Sequence, residues 1–476
     1  MAKNVLFILS DEHARDISGC YGNGIVKTPN IDALSARGVT FDNAYCNSPI
    51  CVPSRASLAT GDYPHRTRYW DNAHPYDGKA PTWHHHLRDA GHDVASIGKL
   101  HFRDPEDDVG FSESQEPIYV VDGLGDVLGL IRKKGSPRKA ASAMADKAGY
   151  GSSGYLDFDN RVAGATEDWL KKRTDNSDKP WVLYVSFVIP HFPLIAPKEF
   201  FDIYADVPIP KPDQYDLAER PSHPGIDAYR NTFNYDDYFD DDKLRVALQA
   251  YYGMCSYLDH NIGRVLAALA DAGLEDDTLV IYASDHGESL GNRGLWGKSV
   301  LYEDSAAIPM IMAGPGIEQG ARCQTPVSLV DIYPTIVQTT GDKLDDRECA
   351  LPGADLRDIA RNHVQDRVVF SEYHAAGSWS GGFMVRRGDW KLIYYVGHEP
   401  QLFNLADDPR EKNDLSGQVE TRKIQAELEA ELRNIVDPEA ADALAFSDQA
   451  KRIEELGGEE AIRSKTEIGF TPAPKD

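Results

Sequence analysis

The stretch Val5-Leu6-Phe7-Ile8-Leu9 is a short unbroken apolar run that leads straight into Ser10-Asp11-Glu12. Such a run, with no polar alternation, predicts a strand buried on both faces, as in a parallel sheet covered by helices. Val94–Ile97, Val182–Val188 and Leu279–Ser284 repeat the pattern. Between the last two, Tyr251, Met254, Leu258, Ile262, Val265 and Leu269 step at threes and fours up to Gly273, which marks a helix with one buried stripe. Thr28 to Gly38 has a capping threonine, a proline at the first helical position and a glycine stop, and so predicts another helix. Strands alternating with helices predict an α/β fold: a large mixed, mainly parallel sheet sandwiched by helices.

Ligands of such sheets bind beyond the carboxyl ends of the strands. Here each apolar run is followed by residues with chemistry: Asp11 and Glu12, then Lys99 and His101, then His191, then Asp285 and His286. Carboxylates at a strand end suit a hard cation that wants several oxygen ligands, or alternatively cap a helix. His286 beside Asp285 adds a nitrogen donor, which calcium tolerates and manganese suits better; a strand-to-loop turn is the other use of Asp285-His286-Gly287-Glu288. Lys99, His101, His191 (between Pro190 and Pro193) and Lys298, in a glycine-rich loop, are candidate anion contacts or solvated charges.

Composition narrows the partners. The chain has 476 residues, 41% hydrophobic and 26% charged, with a formal charge of −26. So acidic a surface repels nucleic acid and anionic membranes, so neither is expected as a partner. Any anion site must be made locally, by converging cations, a helix N-terminus or a metal. The six cysteines are scattered without a CxxC pair, which fits reduced thiols and a cytoplasmic protein. The N-terminus shows no signal peptide, and no apolar stretch reaches membrane-spanning length.

One further segment stands out: Cys51-Val52-Pro53-Ser54-Arg55, inside the longer run Pro49 to Gly61. In isolation it reads as a partly buried cysteine beside a turn-forming proline. If the stretch opens a helix, Arg55 returns to the face of Cys51.

Taken with Asn4–Asp11, Gly19-Cys20-Tyr21-Gly22, Thr28–Asp32, Gly98-Lys99-Leu100-His101, Pro190-His191, Ser284–Gly287, Gly297-Lys298 and the ending Trp390-Lys391-Leu392 through Leu402–Leu405 with Asp408-Pro409, this segment resembles the formylglycine-dependent sulfatases of the alkaline phosphatase superfamily. The resemblance covers most of the chain, in family order. It implies an alkaline phosphatase-like fold and oxidation of Cys51 to formylglycine by a maturation enzyme. It also implies one divalent metal (calcium by family habit, manganese or magnesium as alternatives) held by Asp11, Asp285, His286 and the modified Cys51. Many members carry two acidic residues where Asp11-Glu12 stands and asparagine where His286 stands. The histidine, with Gly98 to His101, looks more like the choline-sulfatase and phosphonate-monoester-hydrolase branch, whose members often have a neutral residue in place of Glu12; Glu12 as a ligand is therefore left open.

The implied reaction is hydrolysis of aryl or alkyl sulfate monoesters. One hydroxyl of the hydrated aldehyde attacks sulfur; the other then loses its proton and sulfate leaves. Arg55 would stabilise the diol, Lys99 and Lys298 neutralise the transferring group, His101 accept the second hydroxyl's proton, and His191 contact the sulfate or protonate the leaving oxygen. The alternative on the same scaffold is a phosphonate monoester or phosphodiester hydrolase; an idle binding protein and a plain thiol hydrolase leave these residues unexplained. Relatives in the branch are often dimers or tetramers built with the C-terminal arm, so the resemblance implies a homodimer or homotetramer. A quaternary ammonium alcohol would need an aromatic cage, for which Trp70, Tyr119, Tyr155 and Trp379 are available.

The organisation expected is a catalytic domain over 1–362, a smaller α+β domain with an antiparallel sheet over 363–436, and an arm or tail over 437–476. Val368–Tyr373 and Phe383–Tyr395 supply the antiparallel strands, and Ile424, Leu428, Leu432 and Ile435 an amphipathic helix. Arg103–Asp159 and Tyr204–Asp242 read as long excursions, either walls of a site or solvated insertions.

Overall fold

The computed structural model describes residues 3–173, 179–362, 366–465 and 470–474. Eight strands form the main sheet: β1 (Asn4–Asp11), β2 (Gly38–Phe41), β3 (Asp93–Lys99), β4 (Glu113–Ile118), β5 (Trp181–Pro190), β6 (Thr278–Ser284), β7 (Met310–Ala313) and β8 (Ala321–Cys323). Their order is β8-β2-β7-β6-β1-β5-β3-β4. All neighbours run parallel except at β7, which is antiparallel to β6 and to β2. The fold is thus the expected mixed, mainly parallel sheet. The strands announced by apolar runs are the contiguous centre β6-β1-β5-β3. The others are short (β2, β7 and β8 have four, four and three residues) or, like β4, polar and half-exposed.

β1 shows why the run has no polar alternation. Leu6 and Ile8 face one core, with Phe158, Met254 and Leu258; Val5, Phe7 and Leu9 face the other, with Ala56, Leu58, Trp83 and Ile336. Each such buried side chain contributes on the order of 1.5–3 kcal/mol. The helices that frame the site and its support are α1 (Pro29–Ala36), α2 (Cys51–Thr60), α3 (Gly154–Lys171), α4 (Pro224–Phe233), α5 (Asp241–Asp271), α6 (Ile332–Thr339), α7 (Arg422–Ile435) and α8 (Pro438–Glu455). α1, α3 and α5 cover one face of the sheet; α2 and α6 cover the other.

A second sheet of four antiparallel strands follows in sequence order: β9 (Val368–Tyr373), β10 (Gly382–Arg387), β11 (Trp390–Tyr395) and β12 (Gln401–Asn404). Leu428 and Leu432 of α7 pack on Phe370, Phe383, Val385, Leu392 and Leu402. A buried charge cluster ties this sheet to the main body. Lys391 Nζ contacts Glu303 at 2.9 Å and Glu411 at 2.8 Å, while Arg15 meets Glu303 at 3.1 Å.

Among the described residues after Asp437, much of the chain is helical. α8 and a short helix, Glu459–Arg463, pack against their own chain. The sequence conceals this because the buried side chains of α8 include Ala441, Asp442, Ala445 and Gln449, which make no apolar stripe. Their contacts are polar instead: Arg132 to Asp442 at 3.0 Å, and Gln449 to Asp71 at 2.7 Å. Among the described residues no helix is long and apolar enough to cross a membrane.

Candidate active site

Because β6, β1, β5 and β3 are parallel neighbours, their carboxyl ends deliver Asp285-His286, Asp11-Glu12, His191 and Lys99 to one edge. Two of these turns use left-handed backbone at non-glycine residues, Glu12 (φ 67°) and His101 (φ 60°), a conformation that persists where the surroundings over-determine it. Gly98 is needed as glycine: its φ is 106°, and a Cβ there would lie 2.1 Å from the Ser186 carbonyl oxygen. Gly287 has a different reason, close approach: a Cβ would fall 2.1 Å from the Asp304 carbonyl. From the opposite side α2 brings Cys51 as its first residue, and every residue of this helix is buried.

Asp11, Cys51, Asp285 and His286 converge as four buried donors whose ligand atoms all lie within 4.8 Å of one another. Cys51 Sγ is 3.2 Å from His286 Nε2 and 3.6 Å from Asp11 Oδ1; His286 Nε2 is 3.6 Å from Asp285 Oδ1. The remaining atoms of these side chains are turned outward. His286 Nδ1 donates to the Gly287 carbonyl at 3.0 Å, so the proton sits there and Nε2 offers its lone pair to the cluster. Asp285 Oδ2 accepts from Arg55 Nε at 2.7 Å; Asp11 Oδ2 accepts from Lys99 Nζ at 2.5 Å and from an Arg55 terminal nitrogen at 3.1 Å. Converging lone pairs with their outer oxygens tied back fit a divalent cation, and the oxygen, nitrogen and sulfur donor set is chemically suited to one.

Arg55 lies on the face of Cys51, as helical spacing requires, but its guanidinium is engaged elsewhere. Besides the two carboxylates it donates to the Lys99 carbonyl and the Ser186 hydroxyl, each at 2.8 Å. Its guanidinium thus holds the outer oxygens of both donor carboxylates, a set of contacts the sequence did not announce. Glu12 does not join the four-atom cluster. Its Oε2 meets Lys298 Nζ at 2.7 Å and His191 Nε2 at 3.4 Å, and with Asp11 and His191 it forms a second group of buried donors; its Oε1 is buried with no hydrogen-bond partner among the described residues.

Burial opposes ionisation of Asp11, but Lys99, His191, Arg55 and Lys298 outweigh it and hold the carboxyl well below the usual range. Burial pushes Glu12 well above its usual value against the pull of Lys298. Burial, helped by Lys99, keeps His101 well below the usual imidazole value. Burial with Lys298 does the same to His191. The Cys51 thiol is pushed up to about 12 by burial and by Asp11, so as a thiol it is a poor nucleophile.

A cavity of about 120 Å³ opens over Cys51, Lys99, His101, His191 and Lys298. Its outer wall is largely aromatic: Phe192, Tyr229, Phe233, Tyr235 and Phe470. Both excursions contribute to it, Tyr204–Asp242 through α4 and Arg103–Asp159 through Val121, Asp126, Arg138 and Met144. Of the four aromatic-cage candidates, Trp70, Tyr119 and Trp379 do not line it; Tyr155 lies beneath, its ring 5.9 Å from His191. Tyr229 and Phe233, four apart on α4, carried a helical-spacing signal; Phe470 and Thr471 carried none. Glu288 is a further supporting residue: its Oε1 accepts from the backbone of Leu290 and Gly297 at 2.9 and 2.6 Å, pinning the loop that ends in Lys298.

Fold and site together define a class, hydrolases of anionic esters whose reacting groups sit at the carboxyl edge of a central parallel sheet. The sulfatase family model matches residues 3–342, and the model described as N-sulphoglucosamine sulphohydrolase, C-terminal, matches residues 291–437. A choline-sulfatase of Rhizobium meliloti (strain 1021) is 32% identical over 465 residues, covering 94% of this chain and 90% of that protein. Arylsulfatase K of Danio rerio is 30% identical, covering 91% and 84%. Among solved structures, the phosphonate monoester hydrolase of Agrobacterium radiobacter superposes with a TM-score of 0.72 at 22% identity, covering 91% of this chain and 95% of that one. A protein solved in complex with its substrate D-glucosamine-2-N,6-O-disulfate gives 0.71 at 21%, covering 98% and 100%. The chain belongs to the sulfatase family. It is a sulfuric ester hydrolase, and a sulfate ester substrate is consistent with these relatives.

Proposed function

We propose that this sulfatase works through formylglycine made from Cys51 by a maturation enzyme, beside one divalent metal, calcium by family habit, held by Asp11, Asp285, His286 and residue 51. The observation that carries this reading is the donor cluster itself: four ligand atoms converge on the N-terminus of α2 while Arg55 and Lys99 hold the outer carboxylate oxygens. When bound, the metal supplies a positive centre that acidifies a hydroxyl and offsets charge on the ester. The hydrated aldehyde supplies an attacking hydroxyl and a second hydroxyl whose deprotonation releases sulfate.

The chain's own residues do the rest. Lys99 and Lys298 offset the negative charge of the sulfuryl group, in a buried setting where each contact counts for more than in water. His101, kept neutral by burial, accepts the proton of the second hydroxyl. His191 donates Nδ1–H to the Phe192 carbonyl at 2.6 Å, so Nε2 faces Glu12, and because burial keeps the ring neutral, Nε2 must first take up a proton before it can pass one to the leaving oxygen. Glu12 is assigned to Lys298 rather than to the metal. Arg55 positions Asp11 and Asp285. The chain is further proposed to divide at about residue 362, to act in the cytoplasm and to assemble as a dimer or tetramer.

Sulfate and phosphonate monoesters are both singly charged tetrahedral anions, so phosphonate monoester or phosphodiester hydrolysis is the second reading. The test has two arms. Mass spectrometry of the peptide containing residue 51 should find the aldehyde in active enzyme; an unmodified thiol there overturns the mechanism. Steady-state comparison of an aryl sulfate with a phosphonate monoester should favour the sulfate; a preference for the phosphonate by several orders of magnitude would replace the first reading with the second.

A further inference from the structure

The cavity over Cys51 is completed by residues from the far end of the chain. Phe470 and Thr471 line it together with Lys99, His101 and His191. Five contacts fasten this short segment. The Phe470 ring meets Tyr155 edge-on at 5.4 Å and Phe192 edge-on at 5.9 Å. Lys147 Nζ lies 5.6 Å from its centroid. The Thr471 carbonyl accepts from Tyr155 Oη at 2.5 Å, and the Pro474 carbonyl accepts from Arg161 at 3.1 Å. A sixth contact reaches the chemistry: Thr471 Oγ1 lies 2.9 Å from His101 Nε2. The other ring nitrogen of His101 is buried without a hydrogen-bond partner among the described residues, so among these Thr471 alone fixes the ring by hydrogen bonding.

We propose that Phe470–Pro474 is a strap that belongs to the active site. Thr471 is a positioning residue that sets the ring of His101, and Phe470 closes the alcohol side of the cavity, so that the enzyme takes compact sulfate esters whose alcohol half ends within it. This rests on the sulfatase reading above and adds to it the size class of the substrate. Volume supports the restriction, since a cavity of about 150 Å³ is known to hold one benzene ring, and here about 120 Å³ remains with the strap in place. The walls point the same way. Rings of Phe192, Tyr229, Phe233 and Phe470 form one side of the cavity and suit a small apolar or aromatic alcohol; Asn72, Asp126 and Arg138 also line it, so a polyhydroxylated chain would find partners for only part of its hydroxyls.

The experiment compares the full-length enzyme with a chain ending at Gly469 and with Phe470→Ala, Thr471→Val and Thr471→Ser. The probes are 4-nitrophenyl sulfate and a sulfated disaccharide. The full chain should prefer the aryl sulfate. Truncation and Phe470→Ala should shift that preference toward the disaccharide by about tenfold or more, chiefly through KM. Thr471→Val should lower kcat on 4-nitrophenyl sulfate by about tenfold or more while KM stays nearly constant, because a displaced His101 is felt in the chemical step. Thr471→Ser, which keeps the hydroxyl, should restore it; a loss from poor folding would not be rescued this way, and thermal melting of each variant separates the two. An unchanged preference ratio after truncation, or wild-type kcat in Thr471→Val, overturns the strap. A full-length, aldehyde-bearing chain that hydrolyses neither sulfate overturns the underlying reading instead.

Discussion

Arg55 and Asp285 form a fully buried ion pair at 2.7 Å, and the same guanidinium reaches Asp11 at 3.1 Å, so one side chain sets the orientation of both donor carboxylates. A lysine cannot bridge two carboxylates with the fixed fork of a guanidinium. Arg55→Lys is expected to weaken divalent-metal affinity by about 10–100-fold, the usual effect of removing a partner that orients a ligand. Calorimetric titration of metal into the metal-free chain reads this directly, and wild-type affinity would place Arg55 outside that role.

Lys298 and Glu12 meet at 2.7 Å. Lys298→Met removes a cation from the cavity and leaves Glu12 without its counter-charge. The expected loss is about 10²–10³-fold in kcat/KM for an aryl sulfate. Glu12→Gln should cost less, because the ammonium remains; equal losses would mean that Glu12 itself takes part in the chemistry.

Lys391 is wholly buried between Glu303 and Glu411. Lys391→Met strands two carboxylates away from water and should destabilise the fold by about 3–5 kcal/mol. Urea unfolding measures it, and a shift below about 1 kcal/mol would show that Arg15 suffices.

Glu372 gives a pH dependence. Burial works against its ionisation, but His65 and His374 outweigh burial and lower it from 4.5 to about 2. The folded state therefore favours the ionised form. The contribution is present in full above the unfolded value and is lost as pH falls from about 4.5 to about 2. Its size is on the order of 3 kcal/mol at neutral pH. Glu372→Gln should accordingly lose less stability than the wild type between about pH 5 and pH 3 in urea titrations; parallel pH curves would refute the assignment.

The apolar runs Val5–Leu9, Val94–Ile97, Val182–Val188 and Leu279–Ser284 determine the sheet centre from sequence, because a strand buried on both faces has no freedom to be polar on either. They also determine which edge carries chemistry, since parallel strands send their carboxyl ends one way. Asp11, Lys99, His191 and Asp285 could therefore be named before any contact was known. The sequence could not decide what each side chain touches. Arg55 lies on the Cys51 face at the spacing a helix dictates, yet its guanidinium is drawn to two carboxylates that arrive from other strands. Glu12 follows Asp11 by one residue, yet a left-handed turn sends it to Lys298. α8 and Phe470–Pro474 carry no periodic signal, because their partners are largely polar groups and rings, many of them more than 200 positions away in sequence. Local pattern records which face of an element is dry; which charge pairs with which, and that the far end of the chain walls the cavity, are set only when distant segments share one low-dielectric space.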